Sequence, residues 1–310
     1  SSDVCSSDLF ALKNDSEYVK EKENGDFERA TFHPDYTYSQ FVGSYKPIMG
    51  EDDQIKYEYV PGPFMRVLVD ALRSALDSKP KPYILLIEEI NRAKVAAVFG
   101  DVFQLLDRDD DGVSEYEIQA SEDIRKYLAK PEVLGGNPDN YRKLRIPNNM
   151  YIWATMNSAD QGVFPMDTAF KRRWSFEYLG INEGEEKIKD KCIVDIPGSN
   201  EKIEWNALRK AINDKMSSAD FKVNEDKLMG PYFIARKVIE RGDTTEFIKV
   251  FTSKVIMYLY EDAVKQRKNS FFDGCPDTSK YSAICDFFKT NGLEIFGKDF
   301  KTDYYDKYIG

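Results

Sequence analysis

The chain has 310 residues, with 54 acidic against 44 basic side chains, a net charge of −10, 42% hydrophobic residues and 14% aromatic ones. This balance excludes a disordered chain and one built around a basic nucleic-acid face. The scattered four cysteines form no C-x-x-C pair, so neither a zinc site nor a disulfide scaffold is indicated, and a single histidine, His33, excludes any mechanism needing two imidazoles. No apolar run approaches the roughly 20 residues of a membrane helix, so a reduced, cytoplasmic protein of about two domains, with no membrane partner, is expected.

The opening SSDVCSSDLF (1–10) is a near-repeat without initiator Met or signal-peptide order, and reads as a non-native leader. The natural chain is expected to begin near Phe10, in mid-domain. Residues 11–30 are polar and charged, consistent with a helix remnant or loop, and FHPDYTYSQFVG (32–43) reads as a strand running into a loop. The segment 44–62 is turn-rich, with Pro47, Gly50, Pro61 and Gly62. FMRVLVDALRSAL (64–76) places Phe64, Val67, Leu68, Ala71, Leu72 and Ala75 on one helical face. YILLIEEIN (83–91) predicts a buried parallel strand that stops at two carboxylates.

AAVFGDVFQLLD (96–107) predicts an amphipathic helix, SEYEIQ (114–119) a strand, and MYIWATMN (150–157) another buried strand ending in a polar loop. DTAFKRRWSFEYLGI (167–181) predicts a short helix running into a strand. Beyond about Asn182 helical patterns such as 203–216 and 246–266 dominate, and no apolar strand recurs. FKTDYYDKYIG (300–310) suits a docking tail or a frayed end.

The chemistry concentrates at ILLIEE (84–89), an apolar strand ending in paired acids of the kind called Walker B in nucleotide hydrolases. There the first carboxylate, Glu88, would hold a metal, and the second, Glu89, would polarise the attacking water. On these residues alone, a core strand that meets solvent at its end is an equally good explanation. Asn157, at the tip of the next buried strand, reads by itself as a turn-forming residue.

The neighbouring motifs point further. EEINRAKVAAVFGDVFQLLD (88–107) resembles the E-I-N-R-A … L-L-E stretch of the McrB-like, dynein-related branch of AAA+ proteins. ATMNSADQG (154–162) is similar to that branch's M-N-T-A-D sensor loop, and DTAFKRRWSF (167–176) to its D-x-A-x-R-R-R-F segment. FHPDYTYSQFVG (32–43) and KLMGPYFIA (227–235) are similar to two further family motifs, in the family's order.

The resemblance implies an α/β fold: an AAA+ P-loop NTPase-type parallel sheet, incomplete, over 11–181, a helical lid over 182–270 and a C-terminal extension over 271–310. It implies Mg2+ with ATP or GTP, with Glu88 on the metal and Glu89, Asn157 and Asp160 around the attacking water. Arg172 and Arg173 would act in trans on a neighbouring subunit's nucleotide. Glu88 stands where the family usually carries Asp, Gln161 where the restriction GTPases tend to carry Arg, and KLMGPYF (227–233) holds no lid arginine.

Implied partners are copies of itself in a ring and an McrC-like nuclease, with DNA reached only through a missing domain or a partner. The function implied is the motor of a methylation-dependent DNA restriction system. A dynein-related protein remodeller and a non-hydrolytic interaction module are the alternatives.

A phosphate-cradling G-x-x-x-x-G-K-[ST] loop does not occur in the sequence. The near match GLEIFGKD (292–299) ends in Asp299, which would repel phosphate, so the phosphate loop is expected to have been lost upstream. DRDDDGVSEYEI (107–118) imitates a calcium loop but has Ile118 where the bidentate Glu belongs, so calcium is rejected. His33 reads as a packing or loop residue.

Overall fold

The computed structural model describes residues 27–50, 53–157, 163–196 and 202–308. They divide into two compact units between Glu177 and Tyr178, a few residues before the expected boundary.

The first unit is built on a three-stranded sheet in the order β1 (Phe27–Thr31), β4 (Tyr83–Glu88), β7 (Met150–Ala154). All pairs are parallel, with Thr31 opposite Glu88 and Ile87 opposite Ala154, so the strands end together. FERAT (27–31) lies in the stretch expected to be helix or loop; it is a strand because it pairs along its whole length with β4. Leu85 and Ile87 are fully buried, whereas Tyr151 and Trp153 are 47% and 37% exposed. The strand predicted over 150–157 is therefore half-buried rather than buried, and it ends at Ala154.

The core forms between β4 and helix α2 (Pro63–Ser74), which buries Phe64, Met65, Val67, Leu68 and Ala71, with Pro63 preset for the first turn. The segment 38–41, expected to lie in a strand-to-loop region, is a short helix α1 (Tyr38–Phe41). It is held by a capping box in which Thr37 and Gln40 satisfy each other's backbone amides. The expected turn-rich stretch 44–62 is a hairpin of β2 (Gly43–Met49) and β3 (Ile55–Pro61), in register from Gly43 opposite Pro61 to Met49 opposite Ile55. Alternation puts Tyr45, Met49, Ile55 and Tyr57 on one exposed face, so no apolar run marks either strand.

The helix predicted over 96–107 breaks in two. α3 (Val95–Phe99) stops at Gly100, and a tighter 3-10 segment carries the chain from Gly100 to Leu106. Gly100 sits at φ +53, and a Cβ there would lie 2.8 Å from the Tyr38 ring. The expected strand at 114–119 shrinks to β5 (Ile118–Gln119), followed by α4 (Glu122–Leu128) and by β6 (Lys143–Leu144), which pairs antiparallel with β5. α5 (Thr168–Lys171) is capped by Asp167, and no strand follows it among the described residues up to 181.

The second unit is helical, with one addition to the expectation: an antiparallel pair, β8 (Ile193–Asp195) and β9 (Lys202–Glu204). β9 leads into α6 (Trp205–Ser217). The helix predicted over 246–266 is α7 (Thr244–Val250), continued by wider π-helical turns over Phe251–Ile256 and Leu259–Ala263. The stretch 271–308, expected to be a separate extension, shares one core with the rest of the helical unit: Phe271, Phe272, Phe288, Phe296, Phe300 and Tyr304 cluster with Trp205, Phe247 and Phe251. The presumed tail is helix α8 (Lys298–Tyr308), anchored by Phe300 and Tyr304. The near match is buried at Gly292, Leu293, Ile295 and Phe296, and the Asp273 carboxylate lies against Gly297, 2.7 Å from where a Cβ would stand.

Candidate active site

β4 and β7 deliver the candidate residues to one edge of the sheet, because parallel strands in register end side by side. Ligands of open α/β sheets bind at such carboxyl ends. Glu88 is the last residue of β4. Its Oε2 accepts a 2.9 Å hydrogen bond from the Thr31 hydroxyl, and Arg29 Nη1 lies 3.6 Å from its Oε1. Its side chain remains 15% exposed, so β1 orients the carboxylate without sealing it.

Glu89 leaves the strand through a left-handed backbone, φ 54 and ψ 45. A non-glycine residue takes that conformation only against steric cost, and such strain clusters at functional turns. Its amide donates to Thr155 Oγ1 at 3.3 Å, and the next amide, Ile90, donates to the Thr155 carbonyl at 3.0 Å. Thr155 N in turn donates to Ile87 O at 2.8 Å, so one threonine pins the turn from both sides. Arg92 Nε lies 3.3 Å from Glu89 Oε2, close enough for charge attraction but out of line for a hydrogen bond, and Oε2 has no hydrogen-bond partner among the described residues.

Asn91 ties this turn to the sensor segment. It is 3% exposed. Its Nδ2 donates to Asn157 O at 2.7 Å, and its carbonyl accepts from Phe164 N at 2.7 Å. Asn157 and Phe164 thus meet on one buried asparagine; Asp160 and Gln161 lie outside the described residues. The backbone at Asn157 is thus tied to the turn that follows Glu88 and Glu89. The motifs contain Asn91 and Thr155 without giving them roles, and Thr31 lies just outside them. Only Asn91 carried a readable signal, its fixed place in E-I-N-R-A.

The two arginines separate. Arg172 is exposed, and its guanidinium has no ion-pair partner among the described residues. Arg173 is engaged: Nε and Nη2 both lie 2.8 Å from Asp107 Oδ2, and Nη1 donates to Ala169 O at 2.8 Å. Two acids of the calcium-like turn are likewise spoken for, Asp107 by Arg173 and Asp109 Oδ1 by the amides of Asp111 and Val113. His33 is exposed, with its ring edge-on to Tyr36 at 5.4 Å.

The donor set suits magnesium. That ion takes one or two protein carboxylates and draws its remaining ligands from phosphate and water. Glu88 offers such a carboxylate beside the Thr31 hydroxyl, and among the described residues no cluster of three or more His, Cys, Asp or Glu could enclose an ion. Nor is any helix among the described residues long and apolar enough to cross a membrane.

The profile of the AAA domain (dynein-related subfamily) matches residues 16–174. The Type II restriction enzyme BsuMI component YdiS of Bacillus subtilis (strain 168) is 42% identical over 261 residues, 77% of this chain and 71% of YdiS. The Type IV methyl-directed restriction enzyme EcoKMcrB subunit of Escherichia coli (strain K12) is 29% identical over 145 residues, 47% of this chain but only 26% of that subunit. A crystal structure of a candidate ATPase from Cytophaga hutchinsonii covers 90% of this chain at 15% identity, with a TM-score of 0.29 that carries no argument. The family read from the motifs is upheld: the chain belongs to the dynein-related subfamily of AAA domains and is related to components of the BsuMI and McrB restriction systems.

Proposed function

We propose that this chain supplies the hydrolytic half of a nucleoside-triphosphate site in the motor of a methylation-dependent restriction system. One observation carries the reading: Glu88 ends β4, Glu89 follows it in a strained turn, and the segment past the neighbouring strand β7 is tied to that turn through Asn91 and the Asn157 carbonyl. Glu88 would hold magnesium, which when bound neutralises charge on the phosphates. Glu89 takes a proton from the attacking water as its oxygen bonds to the γ-phosphorus and the bond to the nucleoside diphosphate breaks. Asn157, with Asp160 beside it in sequence, orients that water. Arg172 faces outward, as an arginine acting on a neighbouring subunit's nucleotide must.

The restriction role rests on the relatives. A homo-oligomeric ring, an McrC-like nuclease partner and DNA reached through another domain or partner follow from that reading. The net charge of −10 suits a motor that does not itself grip DNA.

Glu89→Gln tests the chemistry, since it keeps shape and hydrogen bonding but removes the base. Because the 310 residues contain no phosphate loop, the assay uses the chain joined behind a strand–G-x-x-x-x-G-K-[ST]–helix segment. Magnesium–ATP or magnesium–GTP turnover should fall at least about 100-fold with binding retained. Unchanged turnover would remove Glu89 from the mechanism.

A further inference from the structure

Two adjacent arginines follow α5, Arg172 as its C-cap and Arg173 next, and they do different things. Arg173 spends its whole guanidinium inward: Nε and Nη2 on Asp107, Nη1 on the Ala169 carbonyl, and its plane 4.1 Å from the Phe103 ring centre. Its side chain is 11% exposed and that of Asp107 27%. The platform beneath is a run of rings: Phe103 stacks on Phe170 at 5.3 Å and 9°, Phe170 on Trp174 at 5.7 Å, and Phe99 meets Phe170 edge-on at 5.3 Å.

Asp107 closes the 3-10 segment that continues α3, and α3 follows directly on the turn carrying Glu89 and Asn91. The Asp107–Arg173 pair therefore fastens the turn after α5 to the 3-10 segment that continues α3, downstream of the turn carrying Glu89. It joins residues far apart in sequence and leaves Arg172 facing solvent.

We propose that Arg173 is a positioning residue, latched by Asp107 and stacked on Phe103, and that Arg172 alone is the arginine presented to a neighbouring subunit's nucleotide. The role of Arg172 rests on the hydrolytic reading above; the latch does not. For Arg173 to reach a phosphate, it would have to leave a carboxylate, a carbonyl and an aromatic face together. Arg172 has no ion pair to give up among the described residues.

Thermal unfolding of the 310-residue chain tests the latch directly. Asp107→Asn and Arg173→Gln should each lower the melting temperature by about 4 °C or more, the double variant no further than the worse single, and Arg172→Gln not at all. Additive losses from Asp107 and Arg173, or no loss, overturn the latch.

Hydrolysis by the chain joined to a phosphate-loop segment then tests the division of labour. Arg172→Gln should lower kcat by about 10³-fold. Asp107→Asn should lower kcat with KM unmoved, and adding it or Arg173→Gln to Arg172→Gln should cost nothing more, an epistasis that a purely structural role would not produce. If Asp107→Asn leaves kcat unchanged or raises it, and Arg172→Gln with Arg173→Gln falls below Arg172→Gln alone, Arg173 is itself an acting arginine and the proposal fails. Absence of all hydrolysis beside an intact latch cycle overturns the hydrolytic reading, and with it the role of Arg172, but not the latch.

Discussion

Both units bury polar side chains beside a helix, and they treat them in opposite ways. In the helical unit Arg209 is fully buried, yet every arm is used: Nε on Asn206 Oδ1, Nη1 on Asn182 Oδ1 and Met229 O, and Nη2 on Glu185 Oε2. Burial, only partly offset by Glu185 and Glu204, lowers its pKa to about 10, so it remains a cation at neutral pH. In the α/β unit Glu89 Oε2 and Asn91 Oδ1 are buried without a hydrogen-bond partner among the described residues, and the Glu89 backbone is left-handed. Buried polar groups in folded proteins are nearly always satisfied. The saturated arginine holds its unit together, whereas Glu89 Oε2 keeps only an ion pair with Arg92.

That contrast can be broken most forcefully at Arg209. Arg209→Leu takes the donor from Asn206 Oδ1 and Asn182 Oδ1, and should cost the helical unit about 3 kcal/mol, the low end for a broken buried pair because Glu185 stays 30% exposed and keeps Lys210 while the Met229 carbonyl keeps Asn213. Urea unfolding followed by the fluorescence of buried Trp205 reads it. A loss under about 1 kcal/mol would mean that saturation at Arg209 does not hold the unit together.

Glu89→Gly probes the other side. Glycine takes the left-handed turn freely, so the α/β unit should gain up to about 1 kcal/mol while hydrolysis is lost. Destabilisation in urea would show that the turn is unstrained and that Glu89 is structural after all.

The smallest effect sharpens the rule at its exception. Glu204 Oε1 in the helical unit is also buried and unpartnered, although Oε2 caps α6 by accepting from Ala207 N at 2.7 Å. Burial foremost raises its pKa above the ordinary 4.5. The stability linked to its proton is present below that ordinary value and lost as pH rises through the raised folded value. Glu204→Gln keeps the cap without the charge, so it should stabilise by a few tenths to about 1 kcal/mol at pH 7, with the gain shrinking as pH falls below 4.5. A pH series of urea midpoints decides it: a gain independent of pH would clear the charge.

Much of this was legible in the sequence, for physical reasons. α2, β4 and the start of α6 carry their burial in their periodicity, and Glu88, Glu89 and Asn157 were found as the polar ends of apolar runs. β2 and β3 were hidden because their apolar residues face outward, and α1 because four residues show no period. α8 could have been found, since Phe296, Phe300, Tyr304 and Tyr308 recur every fourth residue, yet the charges between them suggested a tail. Asp107 with Arg173, and Thr31 with Glu88, are long-range pairs with no local signature. Nothing in K-R-R tells which arginine turns inward.

The break at Gly100 has a consequence for how such a chain can drift over generations. Tyr38 fills the space where a side chain would stand, and its hydroxyl donates to Asp101 Oδ1 at 2.9 Å. Position 100 therefore cannot change alone: any larger residue meets the ring, and the positive φ penalises it even where the ring is absent. Shrinking Tyr38 would open the space but abandon Asp101. Three positions on two elements are thus tied into one heritable unit, in which variation is expected to arrive jointly or not at all.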